Sequence, residues 1–254
     1  MLTDRSLAAV AGHRHKRLMI EPPERIRITR ETLRDGSLID GARRRMPAGL
    51  RVRTDDEIAA CLDAMLAPHP PDQDVWLFGY GSLMWNPAMH FAEQCAGTVR
   101  GWHRSYCLWL EGGRGTPENP GLMLALDRGG AAAGALFRVE AAHARDELLL
   151  PFRRELFTYG YEPRWVAAAT KHGPVQAITF VVNRAGPRYA PRLDLTAIAA
   201  RVATASGALG SCMEYLDHTL ASLEALGLDD RMLRAVRRLC GSPGDLVPVA
   251  GKPR

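Results

Sequence analysis

Residues 75–87 read Val-Trp-Leu-Phe-Gly-Tyr-Gly-Ser-Leu-Met-Trp-Asn-Pro. Residues 75–78 form an apolar run of strand length. The run stops at Gly79-Tyr80-Gly81-Ser82, where two glycines free the backbone to turn sharply and present its N–H groups. A strand feeding such a loop is one way to hold donors against a carboxylate or a carbonyl oxygen. It is equally the signature of a strand end and a tight turn.

Downstream of this stretch, strands come first. Residues 98–110 read as one long strand or a bent pair. Residues 122–126 and 134–139 read as two strands parted by a turn at Arg128-Gly129-Gly130. Residues 140–157 have a helical pattern, with Pro151 as a kink or break. Residues 164–170 and 175–182 form another strand pair around His172-Gly173-Pro174. The last third is helical over 195–205, 211–226 and 229–240. Strands first and helices last, without steady alternation, define an α+β class.

Upstream, Pro22, Pro23, Gly36, Gly41, Pro47 and Gly49 interrupt every pattern, so residues 1–48 read as irregular. A short helix near residues 29–34 is the exception. Thr54-Asp55-Asp56-Glu57 is a helix start, followed by Ile58, Cys61, Leu62, Met65 and Leu66 at helical spacing. Pro68, Pro70 and Pro71 end that helix. The organisation is thus a basic, largely irregular extension (1–53), a helix with a proline-rich linker (54–73), a main domain (74–242) and a tail (243–254).

Charge divides along the same line. Residues 1–54 hold 13 Lys and Arg against 6 Asp and Glu, while the remainder holds 20 against 22. The whole-chain charge of +5 therefore comes from the extension alone. The main domain lacks the basic stripe and base-reading module of a nucleic-acid binder, so no nucleic-acid partner is expected. The extension reads as a solvated tail or as a loose contact for an anionic partner.

The five cysteines are scattered, odd in number and without a C-x-x-C spacing, which fits a reducing compartment rather than a disulfide or zinc frame. No apolar run reaches the ~18 residues that cross a bilayer. Residues 1–20 lack a signal-peptide core. A cytoplasmic location is expected. His13 and His15 have no partner ligands in sequence, and neither H-E-x-x-H nor a P-loop occurs; no metal site is expected. His103 reads as a satisfied polar neighbour on a strand.

The string Phe78-Gly79-Tyr80-Gly81-Ser82-Leu83 resembles the signature of the γ-glutamylcyclotransferase superfamily. With Met84-Trp85-Asn86-Pro87 behind it, the stretch resembles the ChaC branch, the glutathione-specific γ-glutamylcyclotransferases. Further landmarks follow in family order: Gly101-Trp102-His103-Arg104, Gly113-Arg114-Gly115-Thr116, Pro120-Gly121, Arg154-Glu155, Gly160-Tyr161, Ala205-Ser206-Gly207 and Glu214-Tyr215-Leu216. The ordered set covers residues 74–240 and is far more specific than any one piece. Tyr159 departs from the pattern, standing where many relatives have a second glycine.

The resemblance implies a small mixed β-barrel or strongly curled sheet with flanking helices and a ligand cavity at its mouth. It implies glutathione as substrate, cleaved to 5-oxoproline and Cys-Gly without cofactor or metal by a monomer or weak homodimer. Other γ-glutamyl amines, or a catalytically silent ligand-binding role, remain open alternatives. By pattern alone Glu155 is a surface residue paired with a neighbouring Arg. By resemblance it is the general acid/base, and Tyr80, Gly81, Ser82 and Leu83 form the binding loop with Tyr215 reaching the same cavity. Arg114 fits either a carboxylate contact or a loop-stabilising role, and a contact from Tyr161 stays open.

The implied chemistry asks little of the protein. The substrate's α-amine attacks its own γ-carbonyl and closes a five-membered ring. Such intramolecular attack reaches effective molarities on the order of 10⁵–10⁸ M when the geometry is held. The α-amine, with a pKa of about 8, must shed a proton, and the leaving amine must gain one. One carboxyl group can do both if burial raises its pKa toward neutrality, so Glu155 is expected to be partly buried. Ser82 lacks the G-x-S-x-G context of a nucleophile, since position 84 is Met.

Overall fold

The computed structural model describes residues 25–45 and 50–241. His13, His15, residues 46–49, the start of the extension and the tail after residue 241 lie outside the described residues.

The signature stretch begins as β1 (Val75–Gly79), an almost wholly buried strand. It is followed by β2 (Glu93–Leu110), β3 (Gly121–Val139), β4 (Tyr161–Thr170) and β5 (Gly173–Val182). The five close into a barrel in the order β1-β3-β2-β4-β5, with β5 returning to β1 in parallel through Trp76↔Ala177 and Leu77↔Ile178. The α+β class and the barrel expected from the resemblance are what the chain adopts, and closure removes every free edge of this sheet.

The turn expected at residues 128–130 is absent, and β3 is one strand of 19 residues. Gly129 and Gly130 do take left-handed φ values of +97° and +67°. They lie opposite Gly101 at φ +82°, beside a register shift between Arg100 and Trp102. The glycines therefore bend both strands together, as a bulge does, instead of reversing the chain. The bend lets the long β2–β3 ribbon coil around the barrel. β2 and β4 also start earlier than the apolar pattern predicts, at Glu93 and Tyr161, because sheet pairing extends past the hydrophobic stretch.

Between β3 and β4 lies α4 (Ala144–Leu156), entered through a 3-10 turn at Ala141–His143. Pro151 neither breaks nor ends it. A proline there removes one backbone hydrogen bond, and the loss is offset by burial of Leu148, Phe152 and Leu156 against the barrel. Phe152 meets Phe180 of β5 edge-on at 5.2 Å.

The last third holds α5 (Leu195–Thr204), a two-residue hairpin of β6 (Ser206–Gly207) and β7 (Gly210–Ser211), α6 (Cys212–Ala225) and α7 (Arg231–Cys240). Asp194, Ser211 and Asp230 cap the three helices through their side chains. Ser211 and Glu214 form a reciprocal capping box. Thr54 and Glu57 form another at the predicted helix start, opening the helix Asp55–Leu66.

Part of the extension contradicts its reading as irregular. Thr29 caps a short helix at Arg30–Arg34, close to the expected one, but a second helix spans Ser37–Arg45 with Gly41 inside it. Leu33 and Ile39 are buried, and Val52 forms an isolated bridge with Thr158. Numbered in chain order these helices are α1 (Arg30–Arg34), α2 (Ser37–Arg45) and α3 (Asp55–Leu66). Among the described residues no helix is long and apolar enough to cross a membrane.

Candidate functional site

β1 and β5 run parallel, so their C-terminal ends share one end of the barrel. Tyr161, at the start of β4, pairs with Val182 and belongs to the same end. The loop after β1, the end of α4 and the start of α6 converge there.

The loop turns through Tyr80 and Gly81 into a 3-10 turn at Ser82–Met84. The leading N–H groups of a helical turn have no partner within it, which leaves donors of Ser82 and Leu83 for a ligand oxygen. The Tyr80 hydroxyl donates to Phe180 O at 2.7 Å, so what this residue offers a ligand is backbone. The Tyr80 carbonyl accepts from Arg104 Nε at 2.7 Å. Arg104 also donates to Asp230 Oδ2 and to Ala133 O, both at 2.5 Å, and its side chain is only 2% exposed. The guanidinium thus ties the loop, β3 and the cap of α7 together. Arg104 stands among the family landmarks in sequence, but its role there is illegible; the one available signal is a charge on a face of β2 that is otherwise buried.

Gly81 and Tyr215 meet directly. A Cβ on Gly81 would lie 2.5 Å from Tyr215 Oη. The missing side chain at Gly81 is what leaves room for this hydroxyl. Gly81→Ala is expected to raise KM for a substrate held by this loop about ten-fold, since the Tyr215 ring must shift by roughly 1 Å. Tyr215→Phe in the same chain should restore most of the loss; a double variant as poor as the single one refutes the contact.

Glu155 closes α4 with a side chain 14% exposed, its Oε1 3.2 Å from Arg154 Nε. Burial pushes its pKa above the usual carboxylate range, and the Arg154 cation opposes that rise. Its charge in turn helps hold the hydroxyls of Tyr80, Tyr161 and Tyr215 above their ordinary values, although burial is the main cause for each. Glu155 is partly buried, and its charge reaches the hydroxyls of Tyr80, Tyr161 and Tyr215, the last of which lies against Gly81. Tyr161 donates to Leu124 O at 2.9 Å. Trp85 packs edge-on against Tyr215 at 5.3 Å.

Arg114 lies over the Tyr215 ring at 5.6 Å and donates to Ser211 O at 2.8 Å. The loop-stabilising role, holding the start of α6, is the one with a bond to support it. The ring of His103 bonds Gly129 O at 3.1 Å, a satisfied neighbour far from Glu155 in role. Among the described residues no group of three His, Cys, Asp or Glu side chains is arranged to hold a metal. All five cysteines are free.

Asn86, which the sequence analysis quotes without giving it a role, completes the surroundings of Glu155 through Arg154. Arg154 Nη1 donates to Asn86 O at 2.5 Å, and Asn86 Nδ2 donates to Ile28 O at 2.9 Å. Asn86 lies in the quoted motif, yet nothing in its spacing reveals that it joins α4 to the extension.

A closed five-stranded barrel with this loop and this buried carboxyl at one end is the γ-glutamylcyclotransferase fold. The crystal structure of the yeast γ-glutamylcyclotransferase specific to glutathione superposes with a TM-score of 0.60 at 18% identity, covering 66% of this chain and 96% of that one. The family model described as ChaC-like protein matches residues 75–240, and the chain belongs to that family. The chain is 43% identical over 176 residues to the glutathione-specific γ-glutamylcyclotransferase of Escherichia coli K12, covering 69% of this chain and 76% of the relative. It is 28% identical over 188 residues to the mouse glutathione-specific γ-glutamylcyclotransferase 1, covering 71% and 83%.

Proposed function

We propose that this chain is a glutathione-specific γ-glutamylcyclotransferase that converts glutathione to 5-oxoproline and Cys-Gly. The observation that carries the reading is the partly buried Glu155, its charge reaching the Tyr215 hydroxyl that lies against Gly81, in a chain so similar to the E. coli enzyme of that name.

The γ-glutamyl group lies against Gly81, Ser82, Leu83 and Tyr215. The α-amine reacts in its neutral form: as its nitrogen attacks the γ-carbonyl carbon, Glu155 takes the one proton that nitrogen must lose to become the ring amide. The C–N bond of the ring forms, and negative charge gathers on the γ-oxygen. Backbone N–H groups of Ser82 and Leu83 stabilise that charge, in the manner of an oxyanion hole. The γ-amide C–N bond then breaks, and Glu155 returns its proton to the departing cysteinyl nitrogen. Atoms balance without an added water or an enzyme nucleophile.

Burial raises the pKa of Glu155 from its ordinary value, which makes it a stronger base toward the α-amine than an exposed carboxylate. The acid limb of the kcat profile is therefore expected above the ordinary carboxylate range. A chain that had become a silent binding module would have no need to keep a carboxyl buried at this cost.

The test is incubation of the purified chain with glutathione near neutral pH, following 5-oxoproline and Cys-Gly. Equimolar release of both is expected, with γ-glutamyl-alanine turned over far more slowly. Comparable rates on the two compounds would assign the broader γ-glutamyl activity, and no release from either would refute the enzyme reading.

A further inference from the structure

The extension is bonded to the machinery at several independent points. Ile26 N donates to Ala208 O at 2.9 Å in the turn between β6 and β7, and Arg25 pairs with Glu214, the neighbour of Tyr215, at 3.0 Å. Two residues on, Ile28 O accepts from Asn86 at 2.9 Å. Residues 26–28 thus bridge the two walls that flank Gly81 and Tyr215.

Beyond that bridge the segment grips α4. Arg30 forms a two-point pair with the buried carboxylate of Glu147, one bond at 2.6 Å, and Glu147 also accepts from His90 N at 2.8 Å. Arg153 reaches back to Leu33 O and Arg34 O at 3.1 Å each. Arg53 donates to Leu156 O at 2.7 Å and to Thr158 O at 2.9 Å, and lies over the Tyr159 ring at 4.0 Å. Leu156 is the residue after Glu155. Its carbonyl is one of the last four of a helix, which have no partner within it.

We propose that residues 25–34 and 50–53 act as a positioning strap for Glu155, through Asn86 on Arg154 and through Arg53 on the end of α4. The inference rests on the role of Glu155 proposed above. Four of the extension's cations, Arg25, Arg30, Arg43 and Arg51, pair with Glu214, Glu147, Asp55 and Glu57, acids outside it. Tyr159, the departure from the family pattern, supplies the ring on which Arg53 rests.

Releasing the end of α4 lets Glu155 move away from Arg154, which Asn86 holds in place. Arg154 on α4 is in contact with Glu155, and the titratable groups within reach of its charge are Tyr80 after β1, Tyr161 on β4 and Tyr215 on α6. Among them Arg154 alone favours the carboxylate form. Its separation leaves burial unopposed and moves the acid limb of kcat to higher pH.

The experiment uses the full chain with Arg53→Met, Arg53→Lys and Arg30→Met. For Arg53→Met, kcat on glutathione is expected to fall about ten-fold with KM within about two-fold, and the acid limb to rise. Arg53→Lys, which keeps a cationic donor, should recover part of both. Arg30→Met acts at the outer grip and gives a second reading should Arg53→Met fail to fold. Folded variants with wild-type kcat and an unmoved limb overturn the proposal, as does a fall in kcat with the limb in place. Amide exchange over residues 156–161 needs no activity: it should quicken in Arg53→Met, and unchanged exchange overturns the strap. Wild-type protein inert toward glutathione would instead fault the assigned reaction, leaving amide exchange to judge the strap.

Discussion

Replacing Glu155 by Gln is expected to lower kcat on glutathione by about 10³-fold with KM almost unchanged, because general acid–base groups contribute roughly 10²–10⁴-fold. Gln keeps the shape and the polar contact with Arg154 but accepts no proton from the α-amine. A second consequence separates this from simple damage. Burial raises the native pKa of Glu155 above its unfolded value, so between those two values the native state holds more protons. Stability contributed by this group therefore falls as pH rises from the ordinary carboxylate value through the native one. Above that window wild type carries the full cost of a buried charge, and Gln does not. Glu155→Gln should accordingly resist denaturant better than wild type at high pH and match it at low pH. A fall in kcat of less than ten-fold, or equal stability at both pH values, would remove Glu155 from the role given to it.

Arg104→Met is expected to cost about 3–5 kcal/mol of stability, the usual result of stripping one partner from a buried ion pair. The loss leaves the Asp230 carboxylate without its cation and the carbonyls of Tyr80 and Ala133 without donors. For a chain of this size the melting temperature should drop on the order of 10 °C. Arg104→Lys keeps the charge but cannot reach three acceptors in a planar fork, so it should recover only part. Turnover measured well below the melting point should also fall, because Tyr80 O anchors the loop that carries Gly81 and Ser82. A loss under 1 kcal/mol would mean that the three bonds are replaced by water.

The parts of this fold legible in sequence are those written in local chemistry. The strand 75–79 shows as an apolar run ending in glycine, and the starts of α3 and α6 show as Thr54…Glu57 and Ser211…Glu214. Residues 128–130 mislead because a glycine pair at positive φ has the same signature in a turn and in a bulge; Gly101, which decides between them, lies 28 residues away. Helix α2 is hidden because Gly36 and Gly41 suggest breaks that tertiary packing of Ile39 overrides. The same holds for the site. Glu155, the loop and Tyr215 are legible through their ordered motifs. Arg104, Asn86, Arg30 and Arg53 are not, since each acts on residues 24 to 126 positions away.

The parallel seam between β1 and β5 also sets the order in which the molecule comes into being. Trp76 meets Ala177, some hundred residues later in synthesis. Pairings of such long range are the slow ones. Two side-chain bonds cross the same seam, Thr179 Oγ1 to Phe78 O at 3.0 Å and the Tyr80 hydroxyl to Phe180 O. The loop that follows β1 is made early on the ribosome but takes its shape only when the last strand of the barrel arrives. A nascent chain that stops short of β5 carries the whole signature without the bonds from Thr179 and to Phe180 that tie β1 and Tyr80 to the barrel.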